Sequence, residues 1–144
     1  MLAGDTARRR PSSAITLTRW SDLRTSPKPS HIRAQASQSQ PDLATLIGNV
    51  NRLVCESSPQ EFFASLFYGE YQPQSRVLQY VNAGHNTPIV IRQEHDRSVL
   101  LPLSPEGAPV GALRYSRYKS TTLQLQVHDV LVGLYRRGHR LAGY

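Results

Sequence analysis

The sequence predicts an α+β fold, one amphipathic helix followed by an antiparallel β meander, carried between two basic ends. Three observations predict it. Apolar residues recur at three- and four-residue steps from Leu43 to Val54. Short apolar or alternating runs, separated by turn residues, then continue as far as Tyr135. The excess positive charge lies outside that stretch.

The helix comes first. Leu43, Leu46, Ile47, Val50, Leu53 and Val54 fall on one face of a 3.6-residue period. Pro41 suits a first helical turn and Asp42 favours the positive end of the helix dipole. Ser57, Ser58 and Pro59 stop it. Residues 62–71 follow as an aromatic-rich strand, with Phe62, Phe63, Phe67, Tyr68 and Tyr71 as a core stripe. Gln72, Pro73, Gln74 and Ser75 make a turn into a second strand at 76–81, and so short a link predicts an antiparallel hairpin. Residues 82–88 read as a loop, 89–92 as a third strand, 94–97 as a turn and 99–103 as a fourth strand. A Pro/Gly loop spans 104–111. Residues 121–127 alternate, with Leu123, Leu125 and Val127 on one face. After a His128-Asp129 turn, the continuous apolar run 130–135 has the pattern of a strand buried on both faces.

The chain has 144 residues and a formal net charge of +7. Arg8, Arg9, Arg10, Arg19, Arg24, Lys28 and Arg33 face only Asp5 and Asp22 within residues 1–40. Arg136, Arg137 and Arg140 have no acidic neighbour in 136–144. Between them the charges nearly cancel, so the folded part displays no basic face of the kind that tracks nucleic acid. Three parts follow: a disordered basic segment at 1–40, a domain at 41–135 and an atypical basic tail at 136–144. A nucleic-acid-binding arm is the third-ranked reading of the basic ends. No apolar run reaches about 18 residues, which excludes a membrane-spanning helix, and no secretory h-region is seen. Residues 1–40 match a transit peptide only in composition. The single cysteine, Cys55, cannot form an internal disulfide, and a cytoplasmic location follows; it reads as a half-buried hydrophobe. There is no Walker or dinucleotide loop, no cysteine pair for zinc, and no HExxH spacing among the five histidines.

Four segments resemble, in order, the phosphatase domain of the stage II sporulation protein E branch of bacterial PPM-type serine phosphatases. "QPDLATLIGNVNRLVCES" is similar to a helix with the pattern LLxxxNRLL. "FFASLFYGEYQPQSRVLQYVNAGHNTPIVIR" resembles the hairpin TLFYGxxDPxTGxLxYVNAGHxPPLLxR. "GAPVGAL" resembles GGPPLGLL, and "LQLQVHDVLVGLY" resembles VxLxPGDxLLLYTDGxTE up to its tyrosine. The resemblance implies a fragment of an α-β-β-α sandwich like that of protein phosphatase 2C. It implies hydrolysis of phosphoserine or phosphothreonine with two Mn²⁺ or Mg²⁺ ions held by aspartates. It also implies a phosphorylated regulatory partner, such as an anti-sigma-factor antagonist.

The departures from the pattern fall on the metal ligands. Asp5, in "LAGD", is the one candidate ligand, and Thr6 to Arg10 replace the glycine- and lysine-bearing turn that follows it in the family. Arg136 and Arg137 stand where the family has Thr-Asp after its tyrosine, and a cation there repels a metal ion. A family-like Thr-Asp-Gly-Val-Thr-Asp-Trp-Leu-Gly, written in GC-rich codons and read from its third base, gives Arg-Arg-Gly-His-Arg-Leu-Ala-Gly, the sequence of residues 136–143. A displaced coding frame after Tyr135, and another over residues 6 to 31, are therefore expected. The expectation is a truncated or frame-disrupted phosphatase domain, weakly active or inactive, with a non-catalytic protein-binding module as the alternative. Uncovered apolar surface would favour self-association. The signature loop Asn82, Ala83, Gly84 and His85 is the other candidate site. His85 reads as a packing histidine before a proton relay, Gly84 as a permissive backbone position, and Asp129 as a turn residue. No catalytic residue is assigned.

Overall fold

The computed structural model describes residues 13–20, 42–57 and 62–133. Asp5, the basic tail and both proposed frame junctions lie outside the described residues.

Helix α1, Leu43–Ser57, begins where the Asp42 carbonyl accepts the Leu46 amide at 3.0 Å. It closes with the Ser57 hydroxyl folded back onto the Leu53 carbonyl. Its buried residues are Leu43, Leu46, Ile47, Asn51 and Val54, the stripe the periodicity predicts with one polar member.

Seven strands accompany it: β1 (Ser13–Trp20), β2 (Ala64–Gln72), β3 (Val77–Ala83), β4 (Ile89–Glu94), β5 (Arg97–Pro102), β6 (Thr121–Gln124) and β7 (Val130–Val132). They form two antiparallel sheets, a four-stranded one in the order β1-β2-β3-β6 and a three-stranded one in the order β5-β4-β7. The expected meander is thus divided. The β2–β3 and β4–β5 hairpins form as predicted, but the chain changes sheets between β3 and β4, and later β6 returns to β3 while β7 returns to β4.

The centre of the four-stranded sheet, β2 and β3, is buried on both faces. Leu66, Tyr68, Val81 and Ala83 pack against Leu43, Leu46, Ile47 and Val54 of α1. From the opposite face Phe67, Leu78 and Tyr80 meet Val90 and Leu103 beside the second sheet. Phe67 and Tyr80 stack there with centroids 5.5 Å apart, within the range at which offset aromatic pairs attract. Gly69 sits opposite Tyr80, where a Cβ would lie 3.2 Å from Leu78. The result is three layers, helix on sheet on sheet, an α+β arrangement.

Three expectations are corrected. Residues 13–20, read as part of a disordered segment, form β1, paired with β2 from Ser13 opposite Tyr71 to Trp20 opposite Ala64; cross-strand pairing supplies order that a mixed local pattern does not announce. The aromatic stripe is not wholly core, since β2 starts at Ala64 and Phe63, just before it, is 45 % exposed. The apolar run after Asp129 is not doubly buried. Val130–Val132 is an edge strand, and Val130 is 55 % exposed.

That last point belongs to a wider feature. Ile91 lies opposite Leu100 and Val130, and Ile89 opposite Pro102 and Val132. Directly opposed residues share a face. The outer face of the three-stranded sheet is therefore apolar in two successive rows, and no described element covers it.

Candidate functional site

The signature loop lies where the chain leaves one sheet for the other. Asn82 and Ala83 end β3 and are 1 % and 0 % exposed. The Asn82 side chain works in two directions: its Nδ2 donates to the Leu103 carbonyl at 2.9 Å, and its Oδ1 accepts the His85 amide at 2.9 Å. Its backbone carbonyl accepts the Glu106 amide at 3.1 Å. One residue thus ties β3, the crossover and the 103–106 segment together, and a buried amide so satisfied rigidifies its surroundings. Gly84 has φ +67°, and a Cβ would meet the Pro109 ring at 2.7 Å. Only glycine combines that backbone with that approach. His85 is buried, with Nδ1 3.0 Å from the Ser65 hydroxyl; the tautomer decides which group donates.

A second buried amide organises the neighbouring loop, and the sequence did not single it out. Asn51, on the apolar face of α1 and 1 % exposed, accepts the Gly111 amide on Oδ1 at 2.8 Å. Its Nδ2 donates to the Leu113 carbonyl at 3.0 Å and approaches that of Arg114 at 3.4 Å. Gly111 has φ +85°, and a Cβ there would lie 2.7 Å from the Phe62 carbonyl oxygen and from Val54. A polar residue in register with Ile47 and Val54 was the available signal: an asparagine on an apolar helical face needs partners.

Asp129 is more than a turn residue. Its carboxylate faces Arg92, with Nη2 to Oδ2 at 2.7 Å and Nε to Oδ1 at 3.1 Å, and Oδ2 accepts the Gln126 amide at 2.9 Å. Arg92 also donates to the Gln124 carbonyl at 2.9 Å. This two-pronged pair joins β4 to the end of β6 and the turn before β7. The Arg92 hydrogen bond, helped by the Gln126 amide and opposed by burial, holds the Asp129 carboxyl below its ordinary pKa. Beside it His128 has φ +72°, the left-handed conformation that explains why the family pattern places glycine there.

Among the described residues no three His, Cys, Asp or Glu side chains come together as a metal site. Hard divalent ions take several oxygen ligands, so the described residues do not fit the expected Mn²⁺ or Mg²⁺ pair. Asp5 lies outside the described residues. Glu70 accepts the Tyr68 hydroxyl at 3.1 Å. No described helix is long and apolar enough to cross a membrane.

A model of the Stage II sporulation protein E (SpoIIE) family matches residues 28–134, beginning upstream of the family-like helix segment. Among solved structures, the chain is similar to the PP2C phosphatase domain and a fragment of the regulatory domain of the cell fate determinant SpoIIE from Bacillus subtilis. The TM-score is 0.53 at 17 % identity, covering 71 % of this chain and 29 % of that one. The likeness is one of fold, and this chain spans under a third of that structure's length. No curated protein matches. With most of its residues inside the family match and its layers arranged as in that fold, the chain belongs to the stage II sporulation protein E family.

Proposed function

We propose that this chain carries the framework of a metal-dependent serine/threonine phosphatase and serves to recognise a phosphorylated regulatory protein, with turnover weak or absent. The family match over residues 28–134 is the observation that carries the reading. The described polar residues of the family-like segments support weak turnover. Asn51, Asn82 and Asp129 are engaged in joining elements of the fold. A divalent pair, when bound in a domain of this type, supplies Lewis acidity and an activated water; Asp5 is the candidate ligand in this chain. A partner resembling an anti-sigma-factor antagonist, and a cytoplasmic setting, belong to the same proposal. The outer face of the three-stranded sheet, which no described element covers, supports self-association.

The test is phosphate release from a phosphoserine peptide with and without Mn²⁺, for the wild-type chain and for Asp5→Asn. The expected result is release at background in both. Mn²⁺-dependent turnover well above background, abolished by Asp5→Asn, would overturn the claim of weak activity.

A further inference from the structure

The segment that follows Gly111 is held firmly yet turns its side chains outward. Asn51 grips the Leu113 carbonyl. The Ser116 amide and hydroxyl both donate to that same carbonyl, at 3.3 and 3.1 Å, and the Ala112 amide donates to Pro109. At the far end Tyr118 packs against the helix-side core, and a Cβ on Gly107 would lie 2.6 Å from its ring. Between these anchors Leu113 is 61 % exposed and Tyr115 is 90 % exposed. Arg114 and Arg117 are exposed as well. Neither arginine forms a salt bridge among the described residues, whereas Lys119 is paired with Glu106 at 3.2 Å.

Among the described residues, an aromatic ring displayed in water and flanked in the sequence by two arginines without ion pairs has no role in packing. Tyrosine and arginine are the residue types that dominate binding energy at protein interfaces. Arginine matches carboxylate and phosphate with a planar fork. A loop already fixed by its own hydrogen bonds loses little freedom on binding. We propose that Leu113, Arg114, Tyr115 and Arg117 form a docking surface for an acidic, phosphate-bearing segment of a partner protein. The proposal rests on the recognition role given above and names the surface that performs it. A nucleic acid is disfavoured because the cationic side chains here are few and local, where a phosphate backbone needs an extended track.

The experiment uses the full chain and a fluorescein-labelled, glutamate-rich peptide carrying one phosphoserine, read by fluorescence anisotropy at about 150 mM salt. The variants are Arg114→Ala/Arg117→Ala and Tyr115→Ala, with circular dichroism melting to confirm the fold. All three residues are exposed, so melting is expected to stay unchanged. Peptide binding is expected to weaken at least about tenfold in each variant, equivalent to about 1.4 kcal/mol. Wild-type binding that the variants leave intact would overturn the docking surface while sparing the recognition reading. Failure of the wild-type chain to bind the peptide at all would overturn both. Tighter binding of a single-stranded RNA of equal charge, lost in the same variants, would overturn the choice of a protein partner.

Discussion

Removing the Asn51 amide is the sharpest test of how this fold holds its loops. Asn51→Ala strands one group and takes a donor from another. The Gly111 N–H loses its 2.8 Å acceptor, and the Leu113 carbonyl loses its 3.0 Å amide donor. The 3.4 Å approach to Arg114 is too long to count for much. Gly111 is only partly exposed, so its stranded amide costs about 1–3 kcal/mol, whereas the Leu113 carbonyl keeps the Ser116 amide and hydroxyl, which limits that loss to about 1 kcal/mol. The sum, about 2–4 kcal/mol, is a large share of the roughly 5–15 kcal/mol that stabilises an ordinary domain. Asn51→Leu preserves volume but removes the same two hydrogen bonds and should not recover the loss. Asn51→Asp keeps the acceptor for Gly111 but sets a carboxylate against the Leu113 carbonyl, and should be the worst of the three at neutral pH. Urea unfolding followed by circular dichroism reads all three. If Asn51→Ala and Asn51→Leu both lie within about 0.5 kcal/mol of wild type, a value usual for surface changes, the clamp does not hold the loop.

Three other outcomes are expected. Gly84→Ala meets both a left-handed backbone, about 1–2 kcal/mol, and the Pro109 ring at 2.7 Å; it should destabilise by about 2–4 kcal/mol, and a melting temperature equal to wild type would contradict that. His128→Gly relieves a positive φ on a non-glycine residue and should stabilise by about 1 kcal/mol in urea; an unchanged or lower stability would contradict that. Because the Asp129 carboxyl is held below its ordinary pKa by Arg92, its contribution is fully present above the unfolded value near 4 and is lost as pH falls through the folded value. The melting gap between wild type and Asp129→Asn should therefore close in acid, and a gap constant from about pH 7 to 3 would argue against the pair.

What could be read in advance follows the range of the interactions. Helix α1 was legible because its partners share a surface repeated every three or four residues. Both hairpins were legible because turn and strands are contiguous. Asn51 shows only as a polar residue on an apolar helical face, and neither its partner, an amide sixty residues away, nor that of Asp129, a guanidinium 37 residues away, leaves a local trace. The edge position of β7 was misread for a related reason. A run of Val-Leu-Val reports apolar surroundings, not the number of neighbouring strands. For the site, Gly84 was recognisable as a backbone requirement. The double role of Asn82 depends on where Leu103 and Glu106 arrive, which only the crossover between sheets decides.

That crossover also orders events in time. The β2–β3 and β4–β5 hairpins close over a few residues, on the microsecond scale of about 1–10 μs. β6 and β7 can attach only afterwards, each bridging a long span of chain to reach β3 and β4, and such late, distant closures slow assembly. Each also ends a sheet and contributes few rungs, four and three residues long. Amide exchange should accordingly find these two strands opening first, long before the paired centres of β2, β3 and β4 give up their protons.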